Sequence, residues 1–328
     1  MSAAKAAAQA LTAADLTLRA ATLDDAAFAS DVTTIAHPDH PEDPKLWRNW
    51  WQGEAFAMVA ERFVAAHDAD LVGHAFRRRA RDEAERFDRL NAELLPAYRT
   101  SDRLDGLFAL LERRAGEEGG RRFIAWAWDQ DAQMIEVLGR RGYRAERRQR
   151  FWELDLRRHR ERLERMAVES RERMRAQRVR ILTVAEDGDP EKYSKIWKMS
   201  EEAAQDVPRS TAFIATPFDA FLEWMRSPGL REDRMWIARV GDDIVGISML
   251  SYPPVRGVVV TDWTGTARSV RGKGVARALK CETVVQAIAL GVPVVRTDND
   301  SQNAPILHLN ASMGYQIHGE KVMFLKST

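Results

Sequence analysis

A repeated spacing restricts this chain more than any other feature. Tyr98-Arg99 opens a helical pattern that ends near Arg114, a strand-like run follows from Phe123 to Trp128, and a short helix closes at Gly142-Tyr143. Val270-Arg271 opens a second helical pattern to about Leu290, followed by a strand from Val294 to Thr297 and a short helix closing at Gly314-Tyr315. Arg99 to Gly142 is 43 positions, and Arg271 to Gly314 is also 43. Equal spacing over two elements points to a duplicated plan. Ahead of each helix lies a hairpin: Arg62 to Ala66, a turn at Asp68 to Asp70 and Leu71 to Phe76 in the first half, then Met235 to Val240, Gly241 to Asp243 and Ile244 to Leu250 in the second. Each half reads as strand, one or two helices, a hairpin continuing into a long strand, helix, strand, helix and final strand. That order gives an α/β fold on a mixed (α+β) sheet, with Phe151 to Leu156 and Lys321 to Leu325 expected to close the two halves.

At roughly 100 to 200 residues per domain, 328 residues divide naturally into two domains. The reading is a mobile N-terminal tail at 1–15, a first domain at 16–156, a linker helix at 157–177 and a second domain at 178–328. In the linker, arginines alternate with Glu161, Glu164, Glu169 and Glu172, and the few apolar points include Leu163, Met166 and Met174. This is the pattern of a solvated helix with many i,i+4 charge pairs. Lys and Arg number 50 against 49 Asp and Glu, so no field of one sign attracts nucleic acid or an anionic membrane, and any anion site is local. No window approaches the length of apolar run that spans a bilayer, and the Ala-rich N-terminus lacks the basic and Leu-rich parts of a secretory signal. A cytoplasmic protein is expected. The lone Cys281 cannot close an intrachain disulfide or supply a thiolate cluster, and it reads as a packed small hydrophobe.

The chemistry concentrates in Gly257 to Lys280, GVVVTDWTGTARSVRGKGVARALK. Val258, Val259 and Val260 begin a strand, Asp262, Thr264 and Thr266 alternate onto one face, and Val275, Ala278 and Leu279 begin an apolar helical stripe. Between strand and helix, Gly272 and Gly274 remove the Cβ atoms that would hold a phosphate away from the backbone, and Arg271 and Lys273 add charge. Unpaired amides and the helix dipole then point at one place, which makes an anion site. The spacing is neither that of the triphosphatase phosphate loop nor that of the three-glycine dinucleotide fingerprint.

Arg271-Gly272-Lys273-Gly274-Val275-Ala276 resembles the Arg/Gln-x-x-Gly-x-Gly/Ala signature of the GNAT acetyltransferase superfamily, which holds the coenzyme A diphosphate. The following TDNDSQNAPILHLNASMGY, Thr297 to Tyr315, is similar to that superfamily's later strand and helix. The likeness covers 178 to 328, and the whole chain resembles a tandem GNAT protein, a group that includes mycothiol synthases. The resemblance implies two GNAT folds and acetyl transfer from acetyl-CoA to an amine by direct attack in a ternary complex, without a metal. It implies that the fourth strand bulges at Thr266 and pairs its backbone with pantetheine, and that Asn303 contacts the coenzyme arm. The expected acceptor is a small-molecule amine, with no nucleic acid or membrane as partner and no assignment of oligomeric state. A protein lysine as acceptor, and a non-catalytic acyl-CoA-binding or scaffolding protein, are the alternatives.

An attacking ammonium must lose a proton, and Asp262 is the acidic residue on the strand leading to Thr266, so it is the candidate base. Its alternative reading is a polar strand residue paired to an arginine. Many relatives donate a proton to the departing thiolate from a tyrosine at the position that Asn310 occupies here, which leaves water, His308 or Tyr315 as substitutes. In the first half the loop reads Arg99, Thr100, Ser101, Asp102, Arg103, Leu104, with both glycines replaced, and Asp131 stands in the place of Asn303. The N-terminal domain is therefore expected to be degenerate. His37 and His40 lie in a proline-broken loop unsuited to metal ligation, and Trp47, Trp50 and Trp51 read as a packing cluster.

Overall fold

A computed structural model describes residues 11–53, 58–80 and 85–328. The chain divides into two compact units, Met1–Arg147 with Val322–Thr328, and Arg148–Lys321. Most of the expected N-terminal tail, residues 1–10, lies outside the described residues. Leu11–Ala13 is not tail but strand β1, paired antiparallel with β2 (Leu16–Ala20), and Asp15 in the turn between them is held by Arg103.

In the first unit, α1 (Ala26–Ala36) and α2 (Pro44–Gln52) precede the hairpin of β3 (Met58–His67) and β4 (Asp70–Ala80). Then come β5 (Asp88–Leu94), α3 (Ser101–Glu117), β6 (Arg122–Trp128), α4 (Ala132–Arg140) and the start of β7 (Arg144–Asp155). The α3 helix forms because Thr100 accepts from the Arg103 amide at its N-cap and Leu104, Leu107, Phe108, Leu111 and Ala115 recur at three- and four-residue steps on one buried face. Asp131 caps α4 in the same way, through the Met134 amide. Trp47, Trp50 and Trp51 pack with Ala26 and Ala29, as a cluster under α1 and α2.

In the second unit, α5 (Leu156–Ala176) follows β7 and leads to β8 (Arg180–Thr183), α6 (Lys192–Gln205), α7 (Phe218–Met225), β9 (Met235–Val240) and β10 (Asp243–Ser251). β11 (Val259–Thr266), α8 (Val275–Ala289), β12 (Val294–Asp300) and α9 (Ala304–Met313) repeat the plan of the first unit, and β13 (Gln316–Ser327) ends the chain. The sheet of this unit runs β7-β12-β11-β10-β9-β8. Gly246 on β10 stands opposite Thr266, and a Cβ there would lie 2.9 Å from Leu279 and 3.2 Å from Thr266. The missing side chain is what lets α8 settle onto the strand. Gly73 of β4 in the first unit has a different neighbour: a Cβ there would run into Leu94 and the Glu93 carbonyl of the adjoining strand β5.

The closing strands are exchanged relative to the sequence expectation. Gln149 to Asp155 of β7 does not close the first sheet; it pairs antiparallel with β12, from Val294↔Asp155 to Asp300↔Gln149. The first sheet instead ends on the last part of β13, which neighbours β6, and Val322 and Phe324 are part of the first unit's core. The reason is chemical matching: Trp152 and Leu154 bury with Val295, Val284 and Ala287 of the second unit, whereas Phe324 buries with Leu107, Leu111 and Phe123 of the first. Phe324→Ala should therefore destabilise the first unit by about 3–5 kcal/mol, the usual cost of emptying a buried aromatic site. Urea unfolding followed by amide exchange would show the loss at α3 amides, not at α8.

Candidate active site

The site is built on an interrupted ladder. β11 and β12 are parallel neighbours joined only at Val259↔Val295 and Val260↔Arg296. Beyond these pairs β11 stays with β10 as far as Thr266, and β12 stays with β7 as far as Asp300. From Thr261 onward the edge of β11 that faces β12 therefore has no strand partner, and its backbone groups must find other acceptors and donors. The irregularity expected at Thr266 lies earlier: Met249↔Trp263 is followed by Leu250↔Thr261, which leaves Asp262 as the extra, unopposed residue. Thr266 is in regular register with Gly246, and Thr264 shares a hydrogen bond of 2.9 Å with Ser248.

After β11, a short turn at Arg268–Val270 leads to the glycine loop. Gly272 and Gly274 have φ of +73° and +91°, a region that L side chains avoid, so the loop geometry requires glycine at both. Gly274 is the N-cap of α8 and has no side chain to accept from the helix. Among the described residues, the amides of Gly272, Gly274, Val275, Ala276 and Arg277 have no acceptor, whereas Lys273 bonds Val270 and Ala278 bonds Gly274. Open space surrounds Gly272 where a Cβ would stand. Orphan amides, a helix N-terminus and two missing side chains form a cradle that fits a phosphate ester.

The cations are placed less simply than the sequence suggests. Arg271 reaches Asp206 at the end of α6 at 2.6 Å, and Arg268 pairs with the same carboxylate, which holds Asp206 below the usual carboxylate range. The Lys273 ammonium donates to the Ser269 carbonyl. From α5, Gln177 donates to the Lys273 carbonyl, and the Arg173 guanidinium lies over Gly274, 3.3 Å from where a Cβ would be. Spacing along the sequence could not reveal these two, because α5 precedes the loop by about a hundred residues.

Asp262 is exposed on β11, with Trp224 and Asp298 as neighbours of its carboxylate. Desolvation pushes it up to about 6; a hydrogen bond from Trp224 of α7 opposes this, and the nearby Asp298 of β12 adds to it. No arginine is among these influences, so the alternative reading of a residue paired to arginine does not describe the structure. Asp298 is raised by the same desolvation and is held by Gln149 of β7. It sits in the Thr297-x-Asn299 run, where only strand alternation could have marked it. Asn303 is the N-cap of α9, without a side-chain capping bond. Asn310 is fully buried and donates to Asn299 at 2.7 Å, while His308 is exposed on α9.

The corresponding place in the first unit is filled. β5 and β6 also pair at only two positions, Asp88↔Phe123 and Arg89↔Ile124. Past them, Arg99 bonds Glu93 of β5 at 3.1 Å and also Asp131 and Gln133 at the start of α4. Glu93 is further held by His37 at 2.8 Å. Among the described residues no group of three or more His, Cys, Asp or Glu could hold a metal ion.

The raised Asp262 has a stability consequence with a definite sign. Because its folded value lies above its unfolded one, the native state binds the proton more tightly, and stability falls as pH rises between about 4 and 6. Asp262→Asn should therefore melt at a higher temperature than the wild type at pH 7. The difference should disappear below about pH 4, where both side chains are neutral.

No protein-family model matches the sequence, and no curated protein matches it. Among solved structures, a tandem GNAT protein from the clavulanic acid biosynthesis pathway superposes with a TM-score of 0.73 at 15% identity, covering 95% of this chain and 98% of that one. A GCN5-related N-acetyltransferase from Sphaerobacter thermophilus gives 0.65 at 15% identity, with 97% of each chain covered. The glucosamine N-acetyltransferase region of a fungal multi-domain β-N-acetylglucosaminidase gives 0.68 at 12% identity, over 96% of this chain and 38% of that one. At these identities the likeness is one of architecture, and it agrees with the mixed sheets, the parted strands and the glycine loop: this chain has the tandem GNAT fold.

Proposed function

We propose that the chain is an acetyl-CoA-dependent N-acetyltransferase that works in the cytoplasm and acts on a small-molecule amine through its second unit. The observation that carries this reading is the parting of β11 from β12 directly ahead of the glycine cradle. An extended thiol arm can add its amides to the free edge of β11 near Thr266 while its diphosphate rests on the free amides of Gly272, Gly274, Val275 and Ala276, and we assign Asn303, the N-cap of α9, to the coenzyme arm. The solved structures of similar architecture bear the names of N-acetyltransferases, which supports the same class of chemistry.

The acceptor amine attacks the thioester carbonyl, a C–N bond forms and the C–S bond breaks. Backbone amides of β11 near Thr266 polarise the carbonyl without needing a particular side chain. Asp262 takes the proton shed by the amine. At about 6 its carboxyl is still ionised near neutrality, yet it is a stronger base than an ordinary aspartate. Trp224 neighbours it from α7, one of the two helices between β8 and β9, so we assign the acceptor side of the site to these helices. In the first unit the Arg99 bridge between Glu93 and Asp131 stands where the coenzyme arm would pass, and Asp102 stands where a glycine would meet the diphosphate. We assign that unit a structural role.

Calorimetric titration with coenzyme A should give about one site per chain, and Asp102→Gly should leave its affinity unchanged. Gly274→Val places a β-branched residue at φ +91° with its Cβ against Arg173, so binding should weaken by about tenfold or more, roughly 1.4 kcal/mol, in a folded protein. With a panel of small amines and acetyl-CoA, Asp262→Asn should lower the rate by about 10² to 10⁴ with little change in coenzyme affinity. Two equivalent sites would show that the first unit also takes the coenzyme, whereas affinity for coenzyme A with no acceptor-dependent thiol release from any amine would point to a binding protein instead.

A further inference from the structure

Behind the mouth of the cleft lies a group of buried polar atoms to which the proposed reaction assigns nothing. Lys280 of α8 is 1% exposed, and its ammonium has no hydrogen-bond partner. It sits 5.0 Å from the centre of the Tyr315 ring, a contact that eases the charge but satisfies none of its three N–H donors. The Tyr315 hydroxyl faces that of Thr261 without closing a hydrogen bond of normal geometry, and both oxygens are buried without a partner. Asn310 Oδ1 is a fourth such atom, on a residue whose carbonyl accepts from the Tyr315 amide. Thr261 is the first residue of β11 past the last pair with β12.

Three elements, α8, α9 and β11, and the turn after α9 therefore carry these unpaired atoms, with Tyr315 meeting Lys280 through its ring, Asn310 through its amide and Thr261 through its hydroxyl, at the start of the gap. Leaving all of them unsatisfied is costly, and internal water, with two donors and two acceptors, is what satisfies such a set. We propose that Lys280, Tyr315, Thr261 and Asn310 hold a chain of internal water that carries a proton between Lys280 and the gap where β11 and β12 part, so that Lys280 stands in for the tyrosine acid replaced by Asn310. The inference rests on the acetyltransferase reading. As the C–S bond breaks, the electron pair stays on sulfur; a proton moves along water and the Tyr315 and Thr261 hydroxyls to the thiolate, leaving Lys280 neutral. The proton that the acceptor amine gives to Asp262 and solvent balances the one later regained by Lys280.

The remaining titratable groups in contact with this cluster do not compete. Burial raises Cys281 to about 11 and raises Tyr315 as well, so both stay neutral near pH 7. Glu282 is held by Arg171 of α5 at 2.6 Å, Arg277 points to Ser312, and Asp262 is engaged by Trp224. Burial lowers Lys280 to about 8, within reach of the range in which a thiol titrates. Below that value it is an ammonium able to give a proton, and above it the relay is empty.

Coenzyme A itself is the probe. Its thiol is titrated by thiolate ultraviolet absorbance while bound to the full chain, in the wild type, Lys280→Met and Tyr315→Phe. Met preserves the volume and Phe preserves the ring, and carbon NMR of labelled lysine follows Lys280 directly in the wild type. The expected result is a lysine titrating near 8, and a bound thiol whose pKa rises by about 0.5 unit or more in Lys280→Met, where a stabilising positive charge is gone. Tyr315→Phe, which changes no charge, should raise it in the same direction by interrupting the link. Unchanged thiol titration in both folded variants overturns the relay alone. Failure of the wild type to bind coenzyme A overturns the acetyltransferase reading, and the relay with it.

Discussion

The working geometry of the second unit depends on a parallel ladder that stops after two pairs. Had β11 and β12 stayed hydrogen-bonded to their ends, the edge near Thr266 would be consumed and no extended ligand could join it. Each strand is instead held on its outer side, β11 by β10 and β12 by seven consecutive pairs with β7. The backbone groups left free at the gap are tolerable because solvent or a ligand can reach them, whereas in a closed core they would be destabilising.

The same interruption occurs in the first unit, and comparison of the two explains why equal folds need not have equal roles. Arg99 is at the spacing equivalent of Arg271, but Arg271 turns outward to Asp206 while Arg99 turns inward to Glu93 and Asp131. The difference follows from the partners: Gly265 and Asn303 offer no charge at the positions matching Glu93 and Asp131. A buried ion pair with several hydrogen bonds is hard to break piecemeal, since removing one member leaves the others charged and unsolvated. The first cleft is thus closed by its own side chains.

Desolvation acts on two groups of the second cleft in opposite senses. It raises Asp262 and lowers Lys280, in each case by disfavouring the charged form. Both groups are brought nearer to neutrality than they would be in water, which is the arrangement that suits a reaction needing both a base and an acid near pH 7. Trp224 and Tyr315, the aromatic neighbours, supply a hydrogen bond to one and a ring face to the other.

Much of this was legible in the chain itself. The two hairpins, the helices after them and the glycine loop follow from apolar periodicity, turn residues and positive-φ glycines, all of which are local, and the equal spacing exposed the duplication. Other features were decided only by tertiary structure. That β7 pairs with β12 while the end of β13 completes the first sheet depends on which apolar faces match, and strands of similar composition carry no label for their partner. The irregularity at Asp262, the contact of Trp224 with it, and the placing of Arg173 over Gly274 depend on register and on helices remote in sequence. Lys280 was one more residue in a helical stripe until the fold put Tyr315, Thr261 and Asn310 around it, because burial and the lack of a partner are properties of a packed interior and not of a residue type.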